Sequence, residues 1–150
     1  MNTTNPAPST KVGLKLFAAV ILTSAFFLMV RALHAQTRVI EVLADHDSRY
    51  KIQGQKVPSL TFKAGEQMIL RITAKKAENR NRDGSIHGFT LLRASDRKPV
   101  PGWDFLLKPG TRDISVTAPL ETGEYIVICT VICSMDHEGM NMKIIVVPVN

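Results

Sequence analysis

The chain has 150 residues, 45% of them hydrophobic, and carries 19 Lys and Arg against 13 Asp and Glu. This length allows one ordinary domain with a real hydrophobic core once an N-terminal segment is subtracted. The densest basic stretch, residues 75–82, contains no aromatic side chain that could stack on a base, so binding to nucleic acid has little support. A solvated loop accounts for this stretch.

The N-terminal segment has the organisation of an export signal. Residues 1–15 carry only two charges, both lysines, and residues 16–30 carry none. A polar region followed by an apolar region is typical of a signal peptide, and small residues favour cleavage after Ala35. The alternative is a single uncleaved membrane anchor, which needs about 20 apolar residues. Residues 14–33 reach that length only if the charged side chains near both ends extend toward the membrane surfaces.

Both interpretations place residues 36–150 on the far side of the membrane, because the flanking lysines keep the N-terminus in the cytoplasm. We therefore expect an exported domain, either periplasmic or anchored in the inner membrane on the periplasmic side. Three of the 19 basic residues belong to residues 1–35, so 16 oppose 13 acidic residues in the domain. The exported domain is only mildly basic.

Beyond residue 36 the sequence alternates β-branched and polar residues between turn signals, which predicts an all-β domain. Strands are predicted at residues 37–43, 60–62, 67–73, 86–92, 113–117, 125–128 and 142–149. A turn is predicted at residues 63–66, residues 99–102 are expected to break the chain, and His46 is interpreted as an exposed turn residue. Seven or so strands favour a Greek-key β-sandwich over residues 36–150, preceded by an N-terminal hydrophobic helix.

Nearly all of the candidate chemistry lies in one predicted loop. Both cysteines of the protein, Cys129 and Cys133, share this loop with His137 and Met140. Soft sulfur donors with an imidazole select copper, and a thiolate can bridge two metal ions. Two thiolates therefore indicate two coppers, held near one another at small loop-closure cost because the loop joins adjacent strands.

A second imidazole is expected from elsewhere in the chain. His87 is the candidate, because it begins a predicted strand directly after a long polar loop. Phe89, Ile128 and Ile132 are expected to form part of an apolar shell around the site. Met135 and Met142 are close enough in sequence to compete with Met140, which is preferred on its spacing.

The motif Cys-x3-Cys-x3-His-x2-Met after a strand, with Ile-His-Gly-Phe upstream, resembles the CuA domain of cytochrome c oxidase subunit II, a cupredoxin. The short, single-anchor subunit II of B-family haem-copper oxidases is the most similar type, and the CuA domain of nitrous-oxide reductase shares these features. The resemblance covers roughly residues 37–148.

The resemblance implies a binuclear copper centre with two Cu ions. It implies that Cys129 and Cys133 bridge the coppers and that His87 and His137 each bind one. Met140 is then a weak axial ligand to one copper, and the backbone carbonyl of Val131 plays that part on the other.

The resemblance further implies electron transfer, with no catalysis by this chain alone. Cytochrome c or another redox protein is the expected donor, and the catalytic subunit of a haem-copper oxidase is the expected acceptor. Contact with the membrane is expected through residues 1–35 if they are not cleaved.

Two alternatives remain. One is a periplasmic copper-delivery protein that holds a single copper. The other is a binding module stapled by a disulfide, since an even cysteine count in an exported protein normally indicates disulfide bonding. The spacing of His137 and Met140 from the cysteines favours copper.

Overall fold

The computed structural model describes residues 37–149, and this part of the chain is almost entirely β-structure. The strands are β1 (Arg38–Ala44), β2 (Tyr50–Lys51), β3 (Ser59–Lys63), β4 (Gln67–Ala74), β5 (His87–Arg93), β6 (Pro99–Leu107), β7 (Gly110–Thr117), β8 (Gly123–Ile128) and β9 (Asn141–Val147). One 3₁₀ turn, His137–Gly139, lies between β8 and β9. The prediction of an all-β domain is confirmed.

The predicted signal peptide or anchor, residues 1–35, lies outside the described residues, as does the predicted N-terminal helix. Between residues 37 and 149, no helix has the length and apolar character that crossing a membrane requires.

The strands form two sheets. One has the order β2-β1-β4-β7, and the other has the order β3-β9-β8-β5-β6. Strand β1 runs parallel to β4 and β3 runs parallel to β9, whereas the other neighbours are antiparallel. Sheet neighbours that are distant in sequence require the chain to cross between the sheets, as the predicted Greek-key sandwich does.

The core lies between the inward faces of the sheets. Alternate residues of each sheet are buried, as expected where one face packs and the other meets water. In β4 these are Met68, Leu70, Ile72 and Ala74, and in β9 they are Met142, Ile144 and Val146. Each large apolar side chain buried in this way contributes about 1.5–3 kcal/mol.

Strand β5 departs from this alternation, because six of its seven residues are buried. It lies between β8 and β6 in its sheet, so it is not an edge strand. Its pairing with β8 begins only at Thr90, opposite Ile128. The first residues of β5 are therefore buried yet unpaired with β8, and they face the loop that follows β8.

The expected break at residues 99–102 is wrong. Strand β6 begins at Pro99 and pairs with β5, with a register shift between Thr90 and Leu92. An edge strand tolerates prolines because one side of it needs no N–H donors, and β6 is at the edge of its sheet. Gly102, at a φ of 78°, adopts a conformation that few other residues would accept.

The two-residue strand β2 was not predicted, because two residues are too few to show alternation. It follows a turn in which His46 is exposed, as expected. Tyr50 in β2 is 1% exposed, and its ring meets that of Phe89 edge-on at 5.4 Å between centroids. The Tyr50 hydroxyl donates a hydrogen bond to the carbonyl oxygen of Gly88, so β2 is tied to β5 across the sandwich.

Replacing Tyr50 with Phe tests this tie. Tyr50→Phe leaves the buried Gly88 carbonyl without its donor, and we expect the free energy of unfolding to fall by about 1–3 kcal/mol in urea denaturation. Tyr125→Phe is the matched control, since the Tyr125 hydroxyl donates to the carbonyl of the exposed Glu121, which water can reach. Equal losses for the two variants would contradict a special role for the Tyr50 bond.

Candidate metal centre

The candidate ligands come from two chain segments that the sheet brings together. His87 is the first residue of β5, and Cys129 directly follows the last residue of β8. Strand β9 returns beside β8, with Asn141 opposite Ile128. The loop between them is closed at its base, where the Cys129 N–H donates to the carbonyl of Met140 at 3.2 Å.

Three of the predicted ligands form one compact cluster. The ligand atoms of His87, Cys129 and Cys133 all lie within 4.8 Å of one another, and all three residues are buried. The two Sγ atoms are 3.7 Å apart, and both cysteines are free thiols. Metal–sulfur bonds are about 2.3 Å long, so sulfurs at this separation can both reach the same ion.

The His87 ring is held in one tautomer. Its Nε2 lies 3.1 Å from the carbonyl oxygen of Lys75, which can only accept, so Nε2 carries the proton and Nδ1 keeps the lone pair. Burial lowers the pKa of His87, which keeps the ring neutral.

Among the described residues, Nδ1 of His87 is buried and has no hydrogen-bond partner. A buried polar atom without a partner is costly. Metal-binding histidines anchor their other ring nitrogen in the way that His87 does, on a carbonyl or carboxylate. The ring therefore fits the role of a metal ligand.

The Cys129 sulfur is held by backbone groups. The Gly88 N–H donates to Sγ at 3.2 Å, and the thiol donates to the carbonyl of Val131 at 3.2 Å. Burial raises the pKa of the Cys129 thiol to about 11, so without a metal the thiol stays protonated at neutral pH. A metal ion that binds here must displace that proton.

The remaining predicted ligands lie in the same loop. The Val131 carbonyl also accepts the Cys133 N–H at 2.7 Å, and so it lies against both cysteines. Met140 is completely buried. Met135 is 91% exposed, and Met142 lies inside β9 opposite Val127.

His137 is not part of the compact cluster. It begins the 3₁₀ turn, is half-buried, and places Nδ1 3.0 Å from the carbonyl oxygen of Ser134. Because that carbonyl only accepts, Nδ1 carries the proton and Nε2 keeps the lone pair.

The expected apolar shell is only partly present. Phe89 is completely buried, but Ile132 is 67% exposed, so its expected place in the shell is wrong. The neighbouring Cys133 is buried, and a tight turn at Val131 directs Ile132 outward.

The sequence did not identify the residues that support the ligands. A Cβ atom added to Gly88 would lie 2.3 Å from Thr130 Oγ1 and 2.6 Å from Thr130 N. The glycine after His87 was visible in the sequence, but nothing local showed what approaches it. Ser48, whose Oγ lies 3.6 Å from Cys133 Sγ, gave no sequence signal, because 85 positions separate the two residues.

Comparison with known proteins identifies the fold. No protein-family model and no curated protein matches the sequence. A multi-copper oxidase from Pediococcus acidilactici matches with a TM-score of 0.50 at 16% identity, over 77% of this chain and 27% of that chain.

Two other solved structures are also similar. A chain of a haem-copper terminal oxidase dimer matches at 17% identity and a TM-score of 0.47, over 91% of this chain and 98% of that chain. Rusticyanin from Thiobacillus ferrooxidans matches at 20% identity and a TM-score of 0.44, over 75% of this chain and 79% of that chain. At these identities a likeness concerns the fold alone. The two-sheet topology, together with the match at a TM-score of 0.50, agrees with the predicted cupredoxin-like β-sandwich.

The close approach at Gly88 can be tested by adding one methyl group. Gly88→Ala must displace the Thr130 backbone, and we expect a loss of about 1–3 kcal/mol of stability with weakened metal binding, measured by urea denaturation and metal titration. Adding Thr130→Ala to the Gly88→Ala variant should restore neither stability nor metal binding, since the Thr130 backbone nitrogen at 2.6 Å remains.

Gly139→Ala is the matched control for this prediction. The three atoms nearest to a Cβ atom at Gly139 would all belong to the guanidinium end of Arg49, at 3.1–3.2 Å, and that flexible end can move. We expect little change in this variant. A Gly88→Ala protein as stable as Gly139→Ala would show that the backbone contact is not tight.

Proposed function

We propose that this chain transfers electrons through a binuclear copper centre at the junction of β5 and the loop after β8. The observation that carries the proposal is a pair of buried free thiols 3.7 Å apart beside a neutral imidazole, one nitrogen of which has no hydrogen-bond partner within residues 37–149. Two sulfurs and an imidazole are a donor set that selects copper, and paired thiolates can bridge two ions.

Each ligand has a distinct part in this proposal. Cys129 and Cys133 would hold both ions through their sulfurs, and His87 would hold one of them through Nδ1. His137, with its lone pair on Nε2, would hold the other. The Met140 thioether and the Val131 carbonyl would supply the remaining, weaker donors.

Copper supplies a one-electron couple when it is bound. The protein contributes a fixed ligand geometry, since transfer is favoured when little rearranges on reduction. His87 is anchored by Lys75, and Cys129 is anchored by Gly88. Neither cysteine is more than 7% exposed, so the surrounding apolar packing keeps water from the sulfurs and tunes the potential.

The proposed cellular setting rests on the export signal expected in residues 1–35. We propose that residues 36–150 work outside the cytoplasm, either as a periplasmic carrier or as the electron-entry subunit of a cytochrome c oxidase. Cytochrome c or another redox protein is the proposed donor, and a haem-copper catalytic subunit is the proposed acceptor.

One observation favours a second function. Among residues 37–149, the compact cluster contains only His87, Cys129 and Cys133, which is sufficient for a single copper. A periplasmic copper-delivery protein needs no more than this.

Copper stoichiometry separates these two functions. The full chain, purified in mild detergent with its cysteines reduced and loaded with copper, should bind two coppers that share one unpaired electron. Metal analysis gives the stoichiometry. Electron paramagnetic resonance should show more hyperfine lines than one copper nucleus produces.

Other outcomes have clear meanings. One copper with a localised signal would favour delivery. No copper uptake, together with a disulfide between Cys129 and Cys133, would reject electron transfer. Cys129→Ser and Cys133→Ser should each abolish the shared-electron signal, because each removes a bridge.

The axial ligand can be identified by paired methionine variants. Met140→Leu should retain two coppers but shift the reduction potential, because a weak axial donor is lost while the core volume is kept. Met135→Leu is the control and should leave the potential unchanged, since Met135 is 91% exposed. Redox titration followed by optical absorption measures both. An unchanged potential in Met140→Leu would exclude the thioether as a ligand.

A further inference from the structure

The turn between β1 and β2 reaches the ligand loop, residues 129–140 between β8 and β9, through Ser48. Ser48 is 1% exposed, and its Oγ lies 3.6 Å from Cys133 Sγ and 2.7 Å from Ser134 Oγ. Its φ is 55°, a left-handed conformation that is uncommon for residues other than glycine. Such a conformation is energetically unfavourable and persists only where the surrounding structure holds it.

Several hydrogen bonds hold the turn in place. The Ser48 N–H donates to the Asp45 carbonyl at 3.2 Å, and the Asp45 N–H donates to the Arg49 carbonyl at 3.0 Å. The Arg49 guanidinium donates to the Ser48 carbonyl at 2.8 Å and reaches the Asp136 carbonyl at 3.5 Å. The turn is thereby closed on itself, and Arg49 attaches it to the loop that holds Cys133.

The hydroxyl groups in this region can all donate their hydrogen bonds in one direction, from Ser134 to Ser48 and from Ser48 to Cys133. The Asp136 N–H donates to Ser134 Oγ at 3.1 Å, which leaves the Ser134 proton free to be donated to Ser48. Ser48 can then donate its own proton to Cys133. A Cys133 thiolate has no proton to donate, so it can only accept. Aligned hydrogen bonds of this kind strengthen one another.

We propose that Ser48 is a positioning residue that donates a hydrogen bond to the Cys133 thiolate and raises the reduction potential of the centre. The inference rests on the proposed copper function. A hydrogen bond to a thiolate withdraws electron density from the sulfur, and the reduced state is favoured when the sulfur donates less strongly to the metal.

The two sulfurs differ in how they are supported. Cys129 accepts the backbone N–H of Gly88, which no substitution except proline removes. Cys133 receives its hydrogen bond from a side chain, so its support can be removed by a single substitution. Ser48 is therefore the position where the potential is open to adjustment.

Two variants test the proposal in the copper-loaded full chain. Ser48→Ala and Ser48→Gly both remove the hydroxyl, and Ser48→Gly also relieves the left-handed backbone. We expect both to lower the potential, so that the ratio of reduced to oxidised protein at a fixed ambient potential falls about threefold or more. The sulfur-to-copper absorption should shift in both variants.

Two further variants complete the series. Ser134→Ala should shift the potential in the same direction but less, because it removes only the second link. Ser115→Ala, on an exposed face of β7, should have no effect. If both Ser48 variants bind copper with the wild-type potential, the proposal is overturned. A shift in Ser48→Ala alone would attribute the effect to backbone strain and would also overturn it.

A metal-free measurement separates failure of this inference from failure of the copper proposal. In the reduced protein without copper, nuclear magnetic resonance should detect a slowly exchanging Ser48 hydroxyl proton close to the Cys133 β-protons. A rapidly exchanging hydroxyl overturns the inference, whatever the metal content. Lack of copper uptake by a wild-type protein that shows the contact rejects the copper function instead.

Discussion

The centre depends on how closely β5 approaches the loop after β8. At Gly88 the two backbones are so near that a Cβ atom would lie 2.6 Å from the Thr130 nitrogen. Because β5 does not pair with β8 before Thr90, the Gly88 backbone is available for other bonds. Its N–H reaches the Cys129 sulfur and its carbonyl accepts the Tyr50 hydroxyl, so one residue connects the ligand loop to both sheets.

His87 is also held in place by backbone groups. The start of β5 fixes the backbone of His87, and the Lys75 carbonyl, one residue beyond β4, fixes its ring. The other ring nitrogen, Nδ1, is left without a hydrogen-bond partner in the described part of the chain. A buried polar atom without a partner destabilises the fold. A soft metal ion bound at Nδ1 would remove this cost, so the feature that destabilises the fold is the one that suits the site.

Much of this arrangement could be predicted from the sequence, because the signals were local. The strands β4, β7 and β9 show alternation, and the spacing from Cys129 to Met140 places four donors in one loop. The remainder depends on contacts that no local pattern encodes. Strand β6 tolerates its prolines because it is an edge strand. Its position at the edge depends on the order of all the strands in the sheet.

The same limit applies to the supporting residues of the site. Ser48 and Cys133 are 85 positions apart and meet only because the turn before β2 and the loop after β8 lie at the same end of the sandwich. Gly88 could be seen beside His87, but the reason for a glycine is the approach of Thr130 from the loop after β8. Sequence patterns therefore located the candidate donors but not the groups that contact them.

The difference between the two sulfurs has a consequence for how the centre responds to its surroundings. Cys129 is supported by the buried backbone of β5, which changes only if the sandwich changes. Cys133 is supported through Ser48 by a turn whose neighbour, Arg49, is exposed and bonded to the ligand loop at Asp136. A protein that docks on this turn and engages Arg49 would act on the hydrogen bond to Cys133 without touching the metal ligands. In the described part of the chain, the Cys133 sulfur is thus connected through the Ser48 side chain to a turn that carries an exposed arginine.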